Sequence, residues 1–465
     1  MAASKGFIAN ALDADGVFAM RRWHPPLLSY VIIVNNKIFG IDEFRKRLFS
    51  IIAGALCCVV VFISVSIFLK DFKRGDIPAL LAGLMICFLP VHLYVSRTSN
   101  WDAVYSLLAT CSLLGLSLYI IEGGFRNLLL AGISGVLAFM TCEIGLFLVP
   151  VFIAVLVIRY FGARNEKLVK EWFVVAGIAV LLALIIWPAG FMKLNLFKMM
   201  RLRIYDSVCL ERNAPWYVFY TELFSQAPAF SIFAAFGILG FLSFSFFKVW
   251  GNVVLEESVS RVLRYLVPFF TYVLVSFAAS LKNRLVYVHH IVDMMPPISV
   301  VSGVVLGVSL QYLRGFLRKA LWIFLVVLLT FSIKAGLVKD PEITGPQEHP
   351  GYLGIRDYFR DRIDSKVFYY YADIMDYYLP VNNFTDEGLK PRWWTREKVR
   401  AVLDGDFDYV VSDLSMFSEE YPDIDSLVKA FAGKYKLVYV VHHRRTGSPV
   451  AWIFSREKKY RGKEK

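Results

Sequence analysis

Residues Asn127–Ile158 read NLLLAGISGVLAFMTCEIGLFLVPVFIAVLVI. A membrane-crossing helix needs about 20 apolar residues, so this run is too long for one crossing and short for two. The polar break Thr141-Cys142-Glu143 divides it into 127–140 and 144–158, and the segment reads as a tight hairpin of two short spans. The choice matters because a single span here would reverse the sidedness of everything downstream.

Working outward, apolar runs at 48–69, 77–95, 103–121, 172–190, 229–247, 265–281, 290–310 and 320–336 complete a set of ten spans. The positive-inside rule tests that count. Loops 70–76, 122–126, 159–171, 248–264 and 311–319 carry fourteen Lys and Arg, against three in 96–102, 141–143 and 282–290. The first set is therefore expected in the cytoplasm. The N-terminal 47 residues and the C-terminal region fall outside, in the cell envelope. The loop 191–228 lies outside too, yet holds Lys193, Lys198, Arg201, Arg203 and Arg212. It reads either as a solvated loop or as a cationic patch for an anionic group. The aromatic run 216–220 after it suits the membrane interface.

Composition agrees. At 57% hydrophobic and 16% aromatic residues over 465 positions, the chain is too apolar for a soluble protein. Its net charge of +13 comes without a basic stripe or a nucleic-acid motif, so no nucleic-acid partner is expected; cytoplasmic loops and anionic lipid headgroups account for the excess. Five of the six Cys sit in apolar runs and none lies in 340–465, so disulfides do not hold the soluble part and no zinc spacing appears. This usage leans towards a prokaryotic source. No apolar core of a cleavable signal precedes residue 13.

The expected organisation is an extracytoplasmic segment 1–47, a transmembrane domain 48–336, a Pro/Gly-rich linker 337–350 and an extracytoplasmic domain 351–465. In the last, β-rich runs at 366–371, 407–411, 435–441 and 450–454 alternate with helical stretches near 352–363, 395–404 and 423–432. This is the pattern of a small α/β domain. Asn383-Phe384-Thr385 is a glycosylation sequon, a triplet that chance often produces.

The polar candidates follow. Asp13 and Asp15 form an Asp-x-Asp pair that suits a metal-bridged sugar nucleotide, a general base or a plain polar turn; the pattern recurs at Asp404/Asp406 and Asp423/Asp425. His24-Pro25-Pro26-Leu27 places prolines where a first helical turn tolerates them and His24 at a helix head. Asp102, after Arg97-Thr98-Ser99-Asn100-Trp101, stands at a span mouth either as a helix cap or as a working carboxylate. Glu143 occupies the hairpin break, where an ionisable group is functional by default unless the turn is wet. Lys282, Arg284, Tyr287, His289, His290 and Asp293 crowd one loop before Pro296-Pro297. Adjacent His do not face together on a helix, so hydrogen bonding to phosphate or sugar is preferred to metal binding.

The early acidic pair, His24-Pro25-Pro26-Leu27, Lys37-Ile38-Phe39-Gly40 and Phe44-Arg45-Lys46-Arg47-Leu48 resemble the multi-spanning C-type glycosyltransferases, in particular the protein mannosyltransferase and aminoarabinose transferase group. The likeness continues at Asn100-Trp101-Asp102-Ala103, at Ala131-Gly132-Ile133-Ser134-Gly135 leading to Thr141, and from Tyr287 to Pro297, covering about residues 11–340. The resemblance implies transfer of mannose or another hexose or pentose from a polyprenyl-phosphate donor to a hydroxyl of protein, lipid or glycan, with inversion, at the outer membrane face. It implies Asp15 or Asp13 as general base, Asp102 as an orienting group, Lys193, Lys198, Arg201 and Arg203 on the leaving phosphate, and Tyr287 and His289 with His24 and Glu143 around the substrate. The lipid-linked sugar is substrate, and no cofactor is expected. The family also places a span before its first acidic motif, has Asp-Glu rather than Asp-Ala-Asp, and often has Lys in the hairpin break.

Three rival classes make different predictions. A transporter or flippase predicts charges and broken helices at the bilayer midplane with internal symmetry, whereas these charges sit at span ends. A scaffold displaying the C-terminal domain fits if the first span is lost. An oligosaccharyltransferase is disfavoured because Trp393-Trp394-Thr395 lacks a carboxylate.

Overall fold

The computed structural model describes residues 27, 30–31, 34, 38, 43–97, 101–163, 166–187, 224, 227–250, 256–280, 292–343, 352–362, 364–369, 383–385, 394–413, 416–418, 420–442 and 449–457. The chain divides into two compact units, one within residues 2–343 and one from Thr344 to Lys465.

Each of the ten expected spans falls on helix. The first unit contains α1 (Glu43–Phe68), α2 (Asp76–Cys87), α3 (Pro90–Arg97), α4 (Trp101–Glu122), α5 (Phe125–Thr141), a 3₁₀ segment (Glu143–Phe147), α6 (Leu148–Ala163), α7 (Glu166–Ile186), α8 (Pro228–Trp250), α9 (Glu257–Ser280), α10 (Met295–Tyr312) and α11 (Gly315–Ile343). Among the described residues, eight segments are long and apolar enough to cross a membrane, and α5 is a shorter apolar helix. The span expected at 77–95 is not one rod: α2 and α3 meet at a bend of 61°. Pro90 supplies the cause, having no N–H to continue the ladder and disfavouring helix in the residue before it.

The break read in the opening segment is present: α5 closes at Thr141, the 3₁₀ turn follows and α6 begins at Leu148. Gly123 and Gly124 turn the chain between α4 and α5 with φ of 70° and 84°, a conformation glycine adopts without penalty. At the other end of α5, Cys142 is extended (φ −151°, ψ 140°) and hands over to the 3₁₀ turn. Where Gly115 passes α5, a Cβ would stand 2.8 Å from the Ala131 nitrogen. Small residues let two membrane helices approach this closely.

α10 is the central helix, buried over nearly all of its length, while α7 and α11 expose apolar side chains such as Phe173, Ile185, Phe316 and Ile323 as lipid-facing helices do. Buried serines stitch neighbours together: Ser112 Oγ donates to Ala131 O (2.9 Å), Ser117 Oγ to Tyr265 O (2.7 Å) and Ser299 Oγ to Ala82 O (2.8 Å). In lipid such bonds satisfy groups that have no water to turn to. His92 Nε2 lies 3.2 Å from Gly54 O and 3.5 Å from Cys58 Sγ.

The second unit is a five-stranded mixed sheet in the order β2-β1-β3-β5-β4. Its elements are α12 (Tyr352–Phe359), β1 (Lys366–Phe368), β2 (Asn383–Thr385), α13 (Arg396–Asp404), β3 (Tyr409–Asp413), α14 (Ile424–Phe431), β4 (Tyr435–His442) and β5 (Pro449–Arg456). The β2 strand holds the sequon triplet and pairs in parallel with β1. Trp394 is fully buried and its indole N–H donates to Ser412 Oγ (2.9 Å), while Thr395 caps α13. These two residues serve the fold of the small domain.

Candidate functional site

The two ends of the helical bundle differ in chemistry. At one end Lys70 pairs with Glu122 (3.9 Å), Arg261 with Asp71 (3.2 Å), and Tyr312 donates to Glu256 (2.7 Å). Arg159 reaches Ile120 O at 3.2 Å beside the Gly123 turn. These are the loops that the charge count groups together. Exposed pairs of this kind contribute little each, but they fix which loops share an end.

The opposite end is a buried polar junction. α4 begins at Trp101, so Asp102 lies inside the first helical turn rather than capping it, and it is 1% exposed. One turn on, Tyr105 is fully buried, and its hydroxyl is 2.6 Å from that of Tyr272 on α9. The Tyr272 hydroxyl donates to Asp293 Oδ2 at 2.8 Å, and Ser276 Oγ approaches the same oxygen at 3.5 Å. A phenol has one proton. With that of Tyr272 given to Asp293, Tyr105 is the donor in the Tyr105–Tyr272 bond. The chain of bonds therefore runs one way, from α4 through α9 to the carboxylate just before α10. Trp101 packs edge-on against Tyr105, ring centroids 6.3 Å apart.

Two further segments reach this end. Antiparallel packing sets Gly115 against Ala131 and Ser112 against Gly135, so the close of α5 at Thr141 lies level with Tyr105 and Ser106. Leu27, the last residue of His24-Pro25-Pro26-Leu27, packs against the cluster of Met140, Ala183 and Trp187 where α5 and α7 end.

Asp102 thus sits, buried, one turn before the junction that Tyr105 makes with α9 and with Asp293 ahead of α10. Glu143 opens the 3₁₀ turn that follows α5, and its side chain lies outside the described residues. Asp13, Asp15, His24, Lys193, Lys198, Arg201, Arg203, Tyr287 and His289 lie outside them as well. Sequence reading missed Tyr105, Tyr272 and Ser276. The available signal was a polar group in an apolar run, three residues after Asp102 in one case and four apart on one helical face in the other. Among the described residues no three His, Cys, Asp or Glu side chains gather as a metal would require.

The family model for dolichyl-phosphate-mannose-protein mannosyltransferases matches residues 23–188, a stretch that contains Asp102 and the α4–α5 hairpin and begins after Asp15. No curated protein matches the sequence. Among solved structures, ArnT from Cupriavidus metallidurans in the apo state is similar with a TM-score of 0.54 at 14% identity, over 96% of this chain and 92% of that one. The same protein bound to undecaprenyl phosphate gives 0.53 at 14% identity, with the same coverage. The arabinofuranosyltransferase AftD from Mycobacteria gives 0.52 at 12% identity, over 96% of this chain and 39% of its own. The chain thus has the fold of these multi-spanning membrane proteins, and over residues 23–188 it is similar to the dolichyl-phosphate-mannose-protein mannosyltransferase family.

Proposed function

We propose that the protein takes a sugar from a polyprenyl-phosphate carrier and places it on a hydroxyl acceptor at the extracytoplasmic face, with inversion at the sugar carbon. The observation that carries this reading is the buried Asp102 at one end of a C-type bundle, inside the stretch that matches the mannosyltransferase family. That a similar structure holds undecaprenyl phosphate supports a lipid-phosphate donor. In this reading Asp15 or Asp13 takes the acceptor proton as general base, and Asp102 orients the acceptor or the base. Lys193, Lys198, Arg201 and Arg203 neutralise the phosphate as it leaves, because charge that develops on a leaving group is stabilised by cations held ready for it. His24, Glu143, Tyr287 and His289 line the substrate. The sugar is mannose or another hexose or pentose.

The test is transfer from radiolabelled polyprenyl-phosphate sugars in membranes that contain the protein. The expected result is label moved to an acceptor by the wild type, lost in the Asp13→Asn/Asp15→Asn double variant and reduced about 100-fold or more by Asp102→Asn. Full transfer by the double variant removes the base assignment. No transfer by the wild type from any such donor removes the reading.

A further inference from the structure

We infer that Tyr272, held by Asp293, is a positioning residue that fixes the first turn of α4 and so aims Asp102 through Tyr105. The inference rests on the functional reading above and deepens it. Its observations are independent of that reading: three hydroxyl and carboxylate groups from three helices, all buried, joined at 2.6 Å and 2.8 Å.

The physical case begins with cost. A carboxylate at membrane depth is expensive, and its donors here are the Tyr272 hydroxyl, the backbone N–H groups of Asp293 and Met294 and, more distantly, Ser276. Phenylalanine and an apolar residue would fill the same volumes without that cost. What an apolar junction would lose is direction. Dispersion contacts hold two helices together over a range of rotations, whereas the one-way chain Tyr105 to Tyr272 to Asp293 has a single satisfied arrangement. Asp102 and Tyr105 are three residues apart and share a face of α4. Tying the Tyr105 hydroxyl towards α9 and α10 therefore sets the azimuth of the turn that carries Asp102. A group that must meet a reacting centre needs such support, since displacement of about 1 Å costs on the order of 100-fold in rate.

The chain is also a coupling between segments far apart in sequence. Asp293 directly follows the stretch holding Tyr287 and His289, and Tyr105 directly follows Asp102 and its turn. A single bonded path therefore registers α10, next to the expected donor residues, against α4.

The experiment compares wild type, Tyr272→Phe, Tyr105→Phe, the double Phe variant, Asp293→Asn and Asp293→Leu in full-length protein. Two readouts are used: kcat and donor KM for transfer from a polyprenyl-phosphate sugar, and hydrogen–deuterium exchange of the peptide covering 101–107. The expected outcome is a kcat lower by about tenfold or more in Tyr272→Phe, with donor KM within about twofold and faster exchange in 101–107. The double Phe variant should be no worse than Tyr272→Phe alone, because the path is already cut. Asp293→Asn should retain most activity, since its amide oxygen still accepts the Tyr272 proton, while Asp293→Leu should not. Unchanged exchange in 101–107, unchanged kcat, or additive losses in the double variant each overturn the inference. Should Tyr272→Phe fail to fold, Tyr105→Phe and the Asn/Leu pair at 293 carry the same test. A wild type that transfers nothing brings down the functional reading instead, and the exchange comparison still decides whether Tyr272 holds the turn.

Discussion

Asp406 lies between two cations in the connection from α13 to β3, with Lys366 Nζ at 3.0 Å and Arg456 also bonded to its carboxylate. Hydrogen bonds from Lys366, then from Arg456, hold its pKa below the ordinary carboxylate value of 3.8. A depressed carboxyl stabilises the folded state above its unfolded pKa, and that contribution disappears as pH falls through the folded value. The pair is largely exposed, so its worth at neutral pH is at most about 1 kcal/mol. Asp406→Asn should lower the melting temperature slightly at pH 7 and converge with wild type once the pH falls through the depressed folded-state value. Thermal unfolding scanned from pH 7 downward checks this, and a difference that persists in acid would rule the carboxyl out. The same residue shows what was legible at this scale. Asp-x-Asp spelled the same in three places, yet Asp423 accepts from Ser426 N at 2.8 Å as a helix cap and Asp406 ties the start of β1 to the end of β5. Two letters carry no context. Asp102 was legible because it stood at the mouth of an apolar run. Tyr105 and Tyr272 were not, because a lone tyrosine in a span is as often packing as chemistry, and only their 2.6 Å contact separates the two.

At the scale of elements, the α4–α5 contact depends on absent atoms. A Cβ on Gly115 would meet the Ala131 nitrogen at 2.8 Å and its Cα at 3.0 Å, both backbone atoms that cannot rotate away. Gly177 on α7 has nothing within 4 Å of the same position. Alanine is a better helix former than glycine by about 1 kcal/mol, so propensity alone predicts that both Gly→Ala changes stabilise. Gly115→Ala should instead lower the melting temperature, by an overpacking cost of about 1–3 kcal/mol, while Gly177→Ala raises it or leaves it unchanged. Differential scanning of both variants in one detergent decides it, and matching signs would mean the helices part at little cost. Apolar length and turn residues gave away most helices and four of the five strands. The β2 strand escaped because Asn383–Thr385 is three residues long and lacks the alternation that marks a strand. The break at Pro90 escaped because hydropathy is summed over a window and does not feel one missing N–H.

At the scale of the molecule, a parity argument from thirty-two residues fixes the ordering of every loop, and the structure makes that ordering testable. Ion pairs and hydrogen bonds bring Lys70, Asp71, Glu122, Arg159, Glu256, Arg261 and Tyr312 to one end of the bundle. Ser276 and Asp293 meet at the other, where α4 begins at Asp102 and α5 closes at Thr141. The fold establishes that these are two ends; the positive-inside rule adds which one faces the cytoplasm. Single cysteines in a cysteine-free background at Arg74, Arg126 and Arg314, all exposed, should react with a membrane-impermeant maleimide only after the inner face is opened. Cysteines at Asn100 and Lys198 should react in intact cells. The informative pair is Asn100 and Lys198, because the charge count assigns the first and a long basic loop, which the rule does not govern, contains the second. Phosphate-binding cations must share a compartment with the carboxylates that act on the sugar, since no span-deep path joins opposite faces during one transfer. Labelling of Asn100 from outside with Lys198 protected until permeabilisation would therefore detach the cationic loop from the reaction, whatever the family likeness implies for it.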